Sequence, residues 1–198
     1  GGLAGLGRHG TRYSQHMLGG TVSGVRLVAV HRRDADQGRS WAKPRGITFH
    51  DNMDDLAHDP NVDVLVGVLP PTRHADVVAA AAAAGKPVLV EKPLAADAES
   101  ARRAVEVAEK ASIPAMVAHT LRFNSVIRAL REYRGHIGEL QLIAINQRSE
   151  PTGRGWLDDG RVATLAGLVV VGALAWGLDQ LFTGRAAYLH VGAMLGTL

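Results

Sequence analysis

Short, apolar, often β-branched runs alternate with helical stretches over residues 1–118. Five of these runs are bounded by glycine, proline or aspartate, as buried parallel strands commonly are: residues 25–30, 47–49, 62–68, 87–90 and 115–118. Two stretches between the later runs have apolar residues at helical spacing, 74–84 and 98–111. This alternation predicts repeated βαβ units, and therefore an α/β fold with a parallel sheet and helices on its faces.

A glycine-rich hexapeptide near the start of the chain matches the pattern G-x-G-x-x-G. Glycine at these positions permits a tight turn, close approach to a pyrophosphate and tight packing of a helix on a strand. The alternative is an ordinary glycine-rich turn, but the motif precedes the strand at 25–30 as a cofactor loop should. All six residues are therefore candidate cofactor-binding residues: Gly5, Leu6, Gly7, Arg8, His9 and Gly10.

The residue that reads the cofactor ribose is expected at the end of the strand that follows the loop. The sequence there is His31-Arg32-Arg33, where NAD-binding domains carry an aspartate or glutamate. Arginine can pair bidentately with a 2′-phosphate, so these three candidates predict a preference for NADP(H), with NAD(H) as the second choice. Two alternatives stay open: both arginines are solvated surface charges, or Asp34 turns inward and restores NAD(H) binding.

Three further motifs lie in register along the chain. LPPTRH spans residues 69–74, GKPVLVEKPLA contains Glu91 and Lys92, and HTLRFNSVIRAL begins near His119. Together with the glycine loop they resemble the glucose-fructose oxidoreductase, inositol dehydrogenase and MocA family (Gfo/Idh/MocA). The resemblance covers nearly the whole chain as far as residues 156–159, and the remainder more loosely.

The resemblance implies two domains. The first is a Rossmann dinucleotide-binding domain over residues 1–120. The second, over residues 121–198, is an apparently incomplete α/β domain with a mostly antiparallel sheet, which covers the nicotinamide and forms a homo-oligomer interface. A helix over 125–133 and a strand over 140–147 fit the beginning of that domain.

The resemblance also implies an activity. It is that of an NAD(P)-dependent oxidoreductase that transfers hydride between the cofactor and a sugar, polyol or related cyclic alcohol or ketone. Lys92 would be the catalytic residue that hydrogen-bonds the reacting oxygen, and the Lys92–Pro93 peptide bond is expected to be cis. Lys92 would also line the cofactor, together with the remaining candidates: Leu69, Pro70, His74, Glu91 and His119. For the two histidines, helix capping or strand-end packing is the alternative.

The acid–base residues that the resemblance implies, D-x-x-x-H followed by x-x-D on a helix, are not found. Alignment places Val170, Leu174 and Gly177 at the relevant positions, and none of these side chains exchanges a proton. Only four residues precede the glycine loop, and we expect a short first strand and a sequence incomplete at both ends. The alternative function is therefore a catalytically weak or silent dinucleotide-binding homologue with a regulatory role.

Composition argues against several other classes. The net charge of +3 comes without a dense basic block, so we expect no nucleic-acid partner. There is no cysteine and no metal-ligand spacing, which predicts a cytoplasmic protein without a bound metal. Residues 162–178 are uncharged and apolar, but three glycines within them and Asp179 directly after them favour a buried element over a membrane span.

Overall fold

A six-stranded parallel sheet forms the centre of the compact unit Gly1–Ala118. The computed structural model of the chain describes residues 1–137. The strands lie in the order β3-β2-β1-β4-β5-β6, so the chain crosses over between β3 and β4. They are β1 (Gly2–Ala4), β2 (Ala29–His31), β3 (Thr48–His50), β4 (Leu65–Gly67), β5 (Val88–Val90) and β6 (Ala115–Val117).

Helices connect these strands and cover both faces of the sheet. Those of the first unit are α1 (Arg8–Leu18), α2 (Ala35–Ala42), α3 (Met53–His58), α4 (His74–Ala83) and α5 (Ala98–Lys110), and α6 (Ser125–Ile137) belongs to a second unit that begins at His119. The side chains of Asp34, Asn52 and Asp97 accept backbone N–H bonds at the N-termini of α2, α3 and α5. Within residues 1–137, no helix is long and apolar enough to cross a membrane.

Successive residues of each central strand pack on opposite faces of the sheet, as the two-residue period of a strand requires. Leu3, Val30 and Val66 belong to one buried cluster, which includes Met17 of α1 and Ala42 of α2. Their neighbours along the strands belong to the other cluster, together with residues of α3, α4 and α5: Ala4, Ala29 and Leu65. The central strands β1, β4 and β5 are therefore largely buried on both faces, which explains why these three strands are apolar.

The predicted parallel sheet is confirmed, with shorter strands than the apolar runs suggested. The run at 25–30 becomes a strand only at Ala29, because β1 begins at Gly2 and Gly2 pairs with Ala29. In the run at 62–68, pairing with β1 and β5 is confined to Leu65–Gly67. β1 has three residues, as the other described strands do.

Two helices were missing from the sequence prediction. α2 reads ADQGRSWA and α3 reads MDDLAH, and both are short and rich in polar residues. The strand predicted at 140–147, the apolar run at 162–178 and almost all of the predicted second domain lie outside the described residues. The division of the chain at residue 120 therefore stays a prediction.

Candidate dinucleotide-binding site

Four loops meet at the carboxyl edge of the sheet, where β1 and β4 lie side by side. The Gly5 N–H donates to the carbonyl oxygen of His31 at 2.9 Å, which joins the glycine loop to the end of β2. The Val68 N–H donates to the Ala4 carbonyl at 2.8 Å, and the Glu91 N–H to the Gly67 carbonyl at 2.9 Å. Parallel α/β sheets bind ligands at this edge, beside the two neighbouring strands at which the strand order reverses.

The three glycines of the loop differ in what surrounds them. Gly5 has a φ of +101°, and a Cβ there would lie 2.1 Å from the Val68 carbonyl oxygen. At Gly10 a Cβ would lie 1.9 Å from the Gly5 carbonyl oxygen. The protein itself therefore requires glycine at both positions.

The contacts within the protein do not require glycine at Gly7. It is the N-cap of α1, its φ of −71° and ψ of −176° suit any residue, and a Cβ there would meet nothing within 4 Å. Gly7, Arg8 and His9 are all exposed, and the first N–H groups of α1 begin at this point. The open space next to a helix N-terminus fits a pyrophosphate, which would approach the backbone where a side chain would block it.

Arg32 lies against the glycine loop. Its Nη1 donates to the Leu6 carbonyl oxygen at 3.3 Å, and its Nη2 donates to Gln37 Oε1 at 2.5 Å. These two contacts occupy part of a guanidinium that has five N–H donors. Arg32 is half-buried and Arg33 is exposed, so only Arg33 fits the alternative that these arginines are solvated surface charges.

The two neighbours of the arginine pair make local contacts. Asp34 accepts from the Gln37 backbone N–H at 3.0 Å and caps α2. An inward turn of Asp34 toward a ribose would therefore break a helix cap. His31 donates through Nδ1 to the His50 carbonyl oxygen at 3.1 Å, which links the ends of β2 and β3.

Glu91 is the buried polar residue at the end of β5, with 9% of its surface exposed. Its Oε1 accepts from the Tyr13 hydroxyl at 2.7 Å and from His9 Nε2 at 3.0 Å, and its Oε2 accepts from the Lys92 backbone N–H at 3.0 Å. The Lys92 side chain is exposed at the same edge. The Lys92–Pro93 peptide bond is cis, as expected.

His74 is fully buried, in contrast to what a cofactor contact would need. Its Nδ1 lies 2.6 Å from the Pro93 carbonyl oxygen and its Nε2 lies 2.8 Å from the Leu69 carbonyl oxygen. Both ring nitrogens are thus engaged by the backbone of the two loops that follow β4 and β5. Pro70 is exposed beside them, and His119 is the first residue after the compact unit.

Tyr13 is a residue that the sequence prediction missed. It lies on α1 four positions after His9, and the two rings are in contact with centroids 5.7 Å apart. Residues four apart share one face of a helix, so the position of His9 in the loop motif was the sequence signal that could have indicated Tyr13. The identity of their shared partner, Glu91, depends on the pairing order of the sheet.

A parallel sheet in this order, with a glycine turn that leaves open space at its centre, defines a dinucleotide-binding α/β domain. The chain belongs to the oxidoreductase family with an NAD-binding Rossmann fold, Gfo/Idh/MocA, whose family model matches residues 2–119. The resemblance seen in the sequence motifs is confirmed.

Relatives with known names agree with this membership. Inositol 2-dehydrogenase 1 of Saccharopolyspora erythraea is 41% identical over 106 residues, covering 52% of this chain and 31% of the relative. The rhizopine catabolism protein MocA of Rhizobium meliloti is 30% identical over 151 residues, covering 75% and 47%. The crystal structure of myo-inositol 2-dehydrogenase from Lactobacillus plantarum has a TM-score of 0.62 and 29% identity, covering 70% and 42%.

The chain thus spans less than half the length of these relatives. Residues 152–198 match a different family model, that of the urate oxidase N-terminal region. This segment contains the three positions aligned with the missing acid–base motif, Val170, Leu174 and Gly177, which lie outside the described residues. The antiparallel second domain and the alignment of these three residues stay predictions.

Proposed function

We propose that the protein is an NAD(P)-dependent oxidoreductase that acts on a hydroxyl or carbonyl carbon. The observation that carries the proposal is the open space at Gly7, at the sheet edge that also bears Lys92. The other two glycines of the loop are required by packing within the protein, whereas nothing in the protein requires glycine at Gly7 and a bound pyrophosphate would require it. The dehydrogenases among the relatives support the same reaction class.

Each loop residue has a distinct task in this proposal. The N–H groups at the start of α1 bind the pyrophosphate, with Gly7 leaving room for it. When bound, the nicotinamide accepts or donates the hydride. Lys92 hydrogen-bonds the reacting substrate oxygen through Nζ and exchanges the proton that accompanies the hydride. Leu69, Pro70 and His119, from the loops after β4 and β6, are proposed to line the cofactor.

Arg32 supports the finer assignment of NADP(H) as the preferred cofactor. Its guanidinium is held between the glycine loop and α2, where the adenosine ribose of a bound dinucleotide belongs. The N–H groups that Leu6 and Gln37 leave free can donate to a 2′-phosphate. Since the family description specifies NAD binding, NAD(H) is the second cofactor of this proposal.

The proposed substrate is a sugar, a polyol or a related cyclic alcohol or ketone. Two of the relatives named above are inositol dehydrogenases, which supports a polyhydroxylated ring. We propose a homo-oligomer as well, formed through the region after residue 120. None of the relatives named above is described as a regulator, so the regulatory alternative gains no support from them.

A turnover screen tests this proposal. The full chain is mixed with NAD⁺ or NADP⁺ and a panel of inositols, aldoses and linear polyols, and hydride transfer is followed by the nicotinamide absorbance. Turnover of at least one polyol, with one cofactor preferred, is the expected result. Binding of neither dinucleotide in a calorimetric titration would refute the proposal.

A further inference from the structure

A chain of hydrogen bonds connects the glycine-loop helix to the backbone of Lys92 through one carboxylate. Tyr13 on α1 donates to Glu91 Oε1 at 2.7 Å, and Lys92 donates its backbone N–H to Glu91 Oε2 at 3.0 Å. The two partners use different oxygens of Glu91, so rotation of the carboxylate affects both contacts. The Glu91 backbone is held on β4 by the hydrogen bond from its N–H to the Gly67 carbonyl oxygen, so its side chain is the part that can change conformation.

The Tyr13 hydroxyl is suited to act as a fixed donor. Burial, the hydrogen bond to Glu91 and the negative charge of Glu91 all raise the pKa of Tyr13, the first being the largest cause. The phenol therefore keeps its proton at neutral pH and donates to the carboxylate. His9 Nε2 donates to the same oxygen at 3.0 Å, but its side chain is 59% exposed and its bond is correspondingly open to water.

We propose that Tyr13 is a positioning residue, which acts through Glu91 to couple occupancy of the phosphate site to the conformation of the Lys92 backbone. A pyrophosphate at the start of α1 would fix the helix that carries Tyr13, and Tyr13 would then hold Glu91 against the Lys92 N–H. Tyr13 touches neither substrate nor cofactor in this arrangement. The inference rests on the proposed function, since it concerns the same cofactor site.

The test uses the isotope-labelled full chain and the substitution Tyr13→Phe, which removes only the hydroxyl. Amide exchange is measured by NMR without ligand, with NADH and with NADPH, and global stability is measured by urea unfolding. Tyr133→Phe, at an exposed tyrosine of α6, is the matched control. Glu91→Gln is a second variant, because an amide offers a single carbonyl oxygen in place of two acceptors.

Without ligand, Tyr13→Phe should speed exchange of the Lys92 amide about fivefold and leave the amides of β4 unchanged. With cofactor, the wild-type chain should show slowed exchange at both the glycine loop and Lys92. In Tyr13→Phe only the glycine loop should be slowed, with the cofactor dissociation constant within about threefold of wild type. Glu91→Gln should reproduce this uncoupling and Tyr133→Phe should not.

The outcomes separate the two proposals. If cofactor slows Lys92 exchange equally in wild type and Tyr13→Phe, or if the ligand-free Lys92 amide is unaffected by the substitution, the coupling is refuted. If exchange speeds up across the whole sheet, Tyr13 is merely structural and the coupling is again refuted. If the wild-type chain binds neither dinucleotide, the proposed function fails, while the ligand-free measurement still decides whether Tyr13 holds Lys92 through Glu91.

Discussion

His74 Nδ1 lies 2.6 Å from the carbonyl oxygen of Pro93, so a buried side chain at the start of α4 holds the backbone that follows Lys92. The other ring nitrogen lies 2.8 Å from the Leu69 carbonyl oxygen. One imidazole thus ties together the loops after β4 and β5, the two loops that flank the proposed nicotinamide position. The structure gives His74 a role in fixing these loops. This role corresponds to the strand-end packing that the sequence offered as the alternative to a cofactor contact.

Replacing His74 by phenylalanine should destabilise the fold. The ring shape is largely kept, but the N–H donor to a part-buried backbone carbonyl is lost, at a cost of about 1–3 kcal/mol when such a group is left unsatisfied. We expect the free energy of unfolding in urea to fall by about 1–3 kcal/mol. His58→Phe, at an exposed histidine of α3, should change it by less than about 0.5 kcal/mol. Equal stability of the two variants would show that the His74 contacts are unimportant.

Two glycine substitutions should separate folding from cofactor binding. Gly7→Val should leave the fold intact and abolish dinucleotide binding, because the side chain fits the free protein but fills the space for the pyrophosphate. Gly10→Val should prevent normal folding, because its Cβ would overlap the Gly5 carbonyl. Circular dichroism and fluorescence titration with NADPH check both. A folded Gly7→Val variant that binds NADPH normally would place the cofactor elsewhere.

The cofactor preference should depend on Arg32. Wild-type protein should bind NADPH more tightly than NADH, and Arg32→Ala should weaken NADPH binding about tenfold, as expected for a lost charge-assisted hydrogen bond. NADH affinity should change little. Arg33→Ala, at the exposed neighbour, is the control and should have the smaller effect. Equal affinity of the wild-type chain for both cofactors would contradict the prediction.

Asp59 should make the stability of the fold depend on pH. Burial raises the pKa of its carboxyl, but hydrogen bonds from His50 Nε2 at 2.8 Å and from Asn61 outweigh burial, and the pKa is lowered overall. The folded state therefore favours the ionised form, and this stabilisation is complete above the ordinary aspartate pKa of about 3.9 and lost as pH falls below it.

The expected measurement is a set of urea unfolding curves between about pH 6 and pH 3. The free energy of unfolding should fall more steeply toward low pH in the wild-type chain than in Asp59→Asn, which cannot ionise. Asp63→Asn, at an exposed aspartate, should follow the wild type. Parallel curves for wild type and Asp59→Asn would contradict this role of the His50–Asp59 contact.

The sequence alone predicted the class of the fold and the glycine turn after the first strand, because both depend on local patterns. Buried strands such as Leu65–Gly67 lie in continuous apolar runs, and the glycine spacing at Gly5–Gly10 specifies a turn. α2 and α3 escaped prediction because short polar helices lack a long apolar face and depend on caps from Asp34 and Asn52.

Contacts between distant segments could not be predicted in the same way. Tyr13 and Glu91 are 78 residues apart, and His74 and Pro93 are 19 apart, with nothing in either local sequence to indicate a partner. Both pairs form because β1, β4 and β5 lie side by side in the sheet. The order of the strands in the sheet is a tertiary property. It brings the carboxylate of Glu91 next to Tyr13 and the imidazole of His74 next to Pro93, so that each of these buried side chains links distant segments.

Hydride transfer by this chain should be slow even when cofactor binds well. The positions aligned with the family acid–base pair are Val170 and Leu174, and they fall within a segment that resembles another family. General acid–base assistance typically contributes about 10²–10⁴-fold, so we expect turnover lower than that of a dehydrogenase that has the pair by a factor in this range. Lys92→Ala should remove the remaining activity without changing the cofactor dissociation constant by more than about threefold. Lys110→Ala, at the exposed end of α5, is the matched control. Turnover is followed by the nicotinamide absorbance with an inositol substrate, and rapid turnover that is unaffected by Lys92→Ala would show that another group moves the proton.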